Sequence, residues 1–182
     1  MRKFTLFFVL GIIITFALQN CGENAKPEMT PIQYNDYIIG NQSKIIKKFI
    51  TLSKTFNNHV PKEMDDELNS LQIQVDSAVT NISNLDGFKG NTEFKNAALM
   101  LFKFYQDAVK KEFKEMIDIL KKNPDAMTSQ DMQKMTDLNQ SISSREKILD
   151  EAFGKAQNNF ATQFKIDIKP NQLQNEIDKM GK

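Results

Sequence analysis

The sequence predicts an all-α protein: an antiparallel four-helix bundle in up-down-up-down order, followed by a short C-terminal helix. Three observations predict it. Apolar residues recur at steps of three and four along four long stretches, the spacing of a single helix face. Residues that start or stop helices bracket each stretch, and the connectors between them are short, which favours antiparallel neighbours. Gly, at 7, and Pro, at 5, are too scarce in 182 residues for a β-rich chain with many turns. An extended helical hairpin or a dimerising coiled coil is the alternative architecture.

Thr30-Pro31 opens the first helix. Threonine is a good N-cap, and proline suits the first helical position, where an N–H has no partner in any case. The stripe runs Tyr34, Ile38, Ile45, Phe49, Leu52 and Phe56, with Gln42 interrupting, and should end near Asn57-Asn58-His59-Val60. There Pro61 disfavours helical backbone in the residue before it. The second helix, about Pro61 to Asn84, carries Met64, Leu68, Leu71, Val75, Ala78 and Ile82 in a heptad seam. Asn84 to Asn91, with two glycines, breaks it.

Asn91 or Thr92 caps the third helix, and Glu93 lies in its favourable first turn. Phe94, Ala98, Leu101, Tyr105, Ala108, Met116 and Leu120 make its stripe; Phe102, Phe104 and Phe113 widen it, so this helix should be the most buried. Lys121-Lys122 and Asn123-Pro124 end it. The fourth helix opens on Thr128 with Asp131 three residues on, a capping box with aspartate in place of glutamate. Met132, Met135, Leu138, Ile142, Leu149, Phe153, Ala156, Phe160 and Phe164 follow, with Arg145 in one seam slot. A last short helix from Lys169-Pro170 would carry Leu173, Ile177 and Met180.

The chain begins differently. Arg2-Lys3 precede an apolar run from Phe4 to Leu18 that ends in Gln19-Asn20-Cys21-Gly22. Positive charge, an apolar stretch shorter than a membrane span and a cysteine at its end read as a lipoprotein signal peptide over residues 1–20. Leu18-Gln19-Asn20-Cys21 resembles the bacterial lipobox, although Gln19 and Asn20 are larger than its usual residues. On this reading Cys21 is the lipidation site, acylated on sulfur and nitrogen, which anchors far better than one chain. Cys21 is also the sole cysteine, so it has no disulfide partner within the chain. An uncleaved N-terminal anchor, or cleavage nearby with Cys21 a bystander, is the competing reading. Residues 21–30 form a polar flexible tether reaching about 30 Å at most, and 31–182 the bundle domain.

Removing the first 20 residues leaves 162, one ordinary domain, with 22 basic and 23 acidic side chains. That balance offers no basic field for nucleic acid. His59 is the single histidine, so neither a di-iron nor a zinc site can be assembled, and it reads as a solvated residue at a helix end. Haem attachment, nucleophile-elbow, phosphate-loop and dinucleotide motifs are missing. The expectation is therefore no catalytic residue, no metal and no cofactor, and a non-enzymatic chain. Lys110-Lys111 and Lys121-Lys122 are weak candidates for anionic lipid.

Two stretches are candidate partner contacts. Phe88, between Gly87 and Gly90, would anchor a partner if exposed; the favoured reading tucks it onto the bundle end as a plug. Tyr34 and Tyr37 line one face with polar tips, and packing is again favoured.

The lipobox cysteine, Tyr34-Asn35-Asp36-Tyr37-Ile38-Ile39 with Gln42, Gly87-Phe88-Lys89-Gly90, Phe94-Lys95-Asn96-Ala97-Ala98 leading to Phe104-Tyr105, and Ala156-Gln157 with Phe160-Ala161 together resemble a family of bacterial surface lipoproteins. This is the LIC11966 type of leptospires, with its Bacteroidota relatives. The resemblance implies surface exposure and transfers no catalytic residue. The function expected is that of an outer-membrane lipoprotein, on the periplasmic or surface face, whose bundle is an interaction or structural module with a protein partner. The alternative is a carrier of a small apolar ligand, in a pocket lined by Phe94, Leu101, Phe104 and Phe153.

Overall fold

The structure, a computed structural model, describes residues 28–56 and 60–168. The expected signal peptide, Cys21 and most of the tether lie outside the described residues, as do His59 and the expected C-terminal helix carrying Leu173, Ile177 and Met180. The described residues form an all-α bundle. Its elements are α1 (Pro31–Thr55), α2 (Pro61–Ser83), α3 (Glu93–Ala108), a π-helical turn (Val109–Phe113), α4 (Lys114–Leu120), a short 3-10 turn (Pro124–Ala126) and α5 (Ser129–Phe164). The chain runs without a break from α3 through the π turn into α4, so the bundle has four rods.

Local chemistry sets the boundaries. Thr30 Oγ1 accepts from the Gln33 N–H at 3.2 Å, and Gln33 Oε1 accepts from the Thr30 N–H at 2.8 Å, a reciprocal cap for α1. Thr128 and Asp131 do the same for α5, at 3.1 Å in both directions. Asp131 also accepts from Lys122 at 2.6 Å. These bonds to Lys122 and Thr128 hold its carboxyl down at about 2. At the start of α3, Asn91 rather than Thr92 supplies the cap, accepting from the Glu93 N–H at 3.1 Å. Lys165 ends α5 in the left-handed region, at φ 53°, and the Ile166 N–H turns back to the Ala161 carbonyl at 3.0 Å.

Packing follows chain order: α1 lies on α2, α2 on α3, and α3 on α5. α1 and α5 meet only over a short stretch, where Gln157 donates to the buried Asn35 at 2.9 Å. A second amide pair, the half-buried Asn81 donating to the buried Asn41 at 2.9 Å, links α1 to α2. Gln42, which interrupts the first stripe, is buried with the stripe. Among the described residues, one hydrophobic cluster runs from Tyr34 to Phe160 and draws on every rod.

Two expectations change. An uninterrupted third helix would carry Glu112 inward after Ala108. The π turn instead advances the inward face to Val109 and Ile117, and Glu112 pairs with Arg145 of α5. The Glu112 side chain is still only 17% exposed there, and the Arg145 guanidinium offsets the cost of its burial. Arg145, in its own seam slot, lies outside the core with its guanidinium 5.0 Å from the Phe104 ring centroid. The second change is at the start of α5. Met132 is 56% exposed, so the first turns of the stripe extend past the core.

Phe160→Ala should lower unfolding free energy by about 3–5 kcal/mol in urea titration, since a fully buried ring leaves a cavity. Lys165→Gly should raise it by about 1 kcal/mol by relieving a left-handed backbone.

Candidate functional site

The loop between α2 and α3 is built around a tight reversal. Phe88 and Asn91 exchange two backbone hydrogen bonds, at 2.9 and 2.8 Å, and the two residues between them, Lys89 and Gly90, have φ of 46° and 84°. A two-residue turn with positive φ at both positions reverses the chain sharply, and glycine adopts it without a Cβ penalty. A Cβ on Gly87 would stand 2.7 Å from Thr92 Cγ2, so this corner too requires glycine.

This geometry drives Phe88 into the bundle. The ring is 5% exposed and lies 5.2 Å from Tyr34, 5.5 Å from Phe160 and 4.9 Å from Phe164, centroid to centroid. Tyr34 is buried as well, and its hydroxyl donates to the Asp86 carbonyl at 3.0 Å. Burial, reinforced by Asp86, pushes this phenol up to about 12. The favoured reading of Phe88 and Tyr34 as packed residues agrees with this burial, although both also border the recess described next. Tyr37 is half-buried and opens onto a recess of about 460 Å³ shared with Asn81, Asn84, Asp86 and Lys89.

The pocket expected at Phe94, Leu101, Phe104 and Phe153 is a packed interior. None of the four is more than 8% exposed, and the Phe94 and Phe153 rings lie 5.4 Å apart. An apolar groove of about 270 Å³ lies instead toward the other end of α1. Ile46, Phe49 and Ile50 of α1, with Phe56 just past its end, form one wall, Ile142 of α5 the opposite wall, and Tyr105 and Phe113 of the third rod line it between them. Phe49 touches both Tyr105, at 5.4 Å, and Phe113, at 5.0 Å. The groove exists because α1 and α5 separate above Asn35–Gln157, and the π turn brings Phe113 into the gap they leave.

One polar group enters it. Tyr105 Oη donates to Glu146 Oε1 at 2.8 Å, and Glu146 lines the groove. Burial, then the carboxylates of Glu146 and Asp150, push the Tyr105 phenol well above its ordinary range, so it stays protonated and keeps donating. Asp150, one turn along α5, is itself raised by burial and then by Glu151. No ion pair among the described residues reaches Glu146 or Asp150.

The lysine pairs noted above sit elsewhere. Lys121 and Lys122 are at the far end, held by Asp65, Asp118 and Asp131, and Lys110 reaches Asp76. Among the described residues, no cluster of histidine, cysteine and carboxylate could hold a metal, and no helix is long and apolar enough to cross a membrane. No family model, curated protein or solved structure matches this chain.

The two buried phenols fix a pH dependence. Unfolded, each loses its proton near 10, whereas folded Tyr34 holds its proton to about 12 and Tyr105 holds on well above 10. The stability they add is present in full below pH 10 and is lost as pH rises through the folded values. The urea midpoint should therefore fall above pH 10, with a shallower fall in Tyr34→Phe and in Tyr105→Phe.

Proposed function

We propose that this chain is a bacterial envelope lipoprotein, anchored through Cys21 and bearing its helical bundle on a short tether as a non-enzymatic interaction or structural module. The observation that carries the reading is the chain's one cysteine, placed where the apolar run Phe4 to Leu18 gives way to polar sequence. The geometry agrees with an anchor at one end. Glu28, Met29 and Thr30 are exposed where α1 begins, beside the aromatic base, while the groove opens roughly 20 Å or more further along α1. A module held in this way presents its far end to whatever shares the membrane surface. Outer-membrane residence, on either face, and kinship with the leptospiral-type surface lipoproteins belong to the same proposal.

A second reading is favoured by the groove itself. Its lining is apolar, and its size is at the lower end of small-molecule sites. A carrier of a small apolar ligand would use it, in place of the Phe94–Phe153 interior.

Cys21→Ala should abolish fatty-acid labelling of the protein in cells and release it from membranes. Labelling that persists in the variant would remove the anchor from the proposal. Native mass spectrometry of the protein purified without detergent separates the two readings: retained extra mass supports the carrier, and a bare chain supports the interaction module.

A further inference from the structure

The groove has a chemical direction. From Ile46 to Phe56 its α1 wall is apolar apart from Ser53, over about 15 Å of helix. Glu146 and Tyr105 stand at the end nearer the bundle base, since α5 descends from Ile142 through Glu146 to Asp150. The titratable groups that line the groove are the Glu146 carboxylate and the Tyr105 phenol, and Asp150 is near enough to act on that phenol. Arg145, the adjacent cation on α5, is turned to Phe104 and Glu112. Carboxylates four residues apart on a helix repel one another, and no ion pair among the described residues reaches either of these.

We infer that the groove takes a small amphipathic cation, an alkyl chain with an ammonium head, the chain lying along Ile46, Phe49, Ile50 and Ile142 and the head meeting Glu146. This deepens the carrier reading and rests on it. The groove's volume of about 270 Å³ is of the size that suits one short chain rather than a bulky ligand. An ammonium offers up to three donors, and a half-buried carboxylate already polarised by one phenol accepts them in charge-assisted bonds. Tyr105 spends its single proton on Glu146, so it leaves the carboxylate as the acceptor for the head. A fatty acid would bring like charge to Glu146 and Asp150, and a neutral alcohol would gain the tail contacts without the ion pair.

The test is isothermal titration of the purified full chain with decylamine, decanol and decanoate below their aggregation limits. Decylamine is expected to bind about ten-fold more tightly than decanol, and decanoate more weakly than either. Glu146→Gln should bring decylamine to the level of decanol. Ile46→Trp, which fills the groove from a half-buried position, should weaken both by about ten-fold or more with the melting temperature retained. Equal binding of the three probes overturns the head-group inference and leaves the carrier reading standing. Binding that Ile46→Trp does not alter overturns the assignment to this groove. No binding by a cooperatively folded chain overturns both the inference and the carrier reading.

Discussion

Phe160 is the contact on which the bundle depends. Its ring, fully buried, lies 5.3 Å from Tyr34 of α1, 5.5 Å from Phe88 of the loop, 5.5 Å from Phe94 of α3 and 4.7 Å from Phe164 of its own helix. Three segments distant in sequence are thereby joined to α5 through one side chain. Offset and edge-on ring pairs add specificity to the area they bury, so the cluster sets the angle at which the segments enter as well as holding them. α1 and α5 are close only there. Further along, each rod packs on its sequence neighbour and the α1–α5 side is free to part.

Much of this was legible in the sequence because it is local. Thr30-Pro31, Pro61 and Thr128 with Asp131 act within one helical turn, and the stripes through Met64, Leu71, Val75, Ala78 and Ile82 are buried as their spacing requires. Phe88 as a plug was legible too, from an aromatic residue enclosed by turn-forming glycines. The π turn was not. Glu112 falls in the seam there, and periodicity alone cannot tell whether a carboxylate in such a place is met by a cation, by solvent or by an added residue. The over-extended start of α5 was hidden for a related reason: Met132 fits the stripe, and only the length of the neighbouring rods decides whether a stripe has anything to lie on.

The candidate site shows the same division. Reading Phe content as a pocket near Phe94 and Phe153 failed because rings that fit one another leave no space. Space appears instead where two rods diverge and the side chains between them, Phe49, Phe113 and Ile142, do not close the gap. That depends on three-dimensional lengths and on the π turn, neither of which spacing reveals. The signal that could have pointed there was Glu146, a carboxylate on the inner side of α5 between Ile142 and Leu149, opposite a helix rich in aromatic residues.

The aromatic base also has a mechanical consequence. Tension applied through the start of the chain enters at Thr30, where the capping box and the next turn meet the ring of Tyr34. From there the load divides among the loop, α3 and α5 through stacked rings before it travels along α1. A pull from that side therefore meets the ring cluster around Phe160 before it reaches the end of α1 that borders the groove.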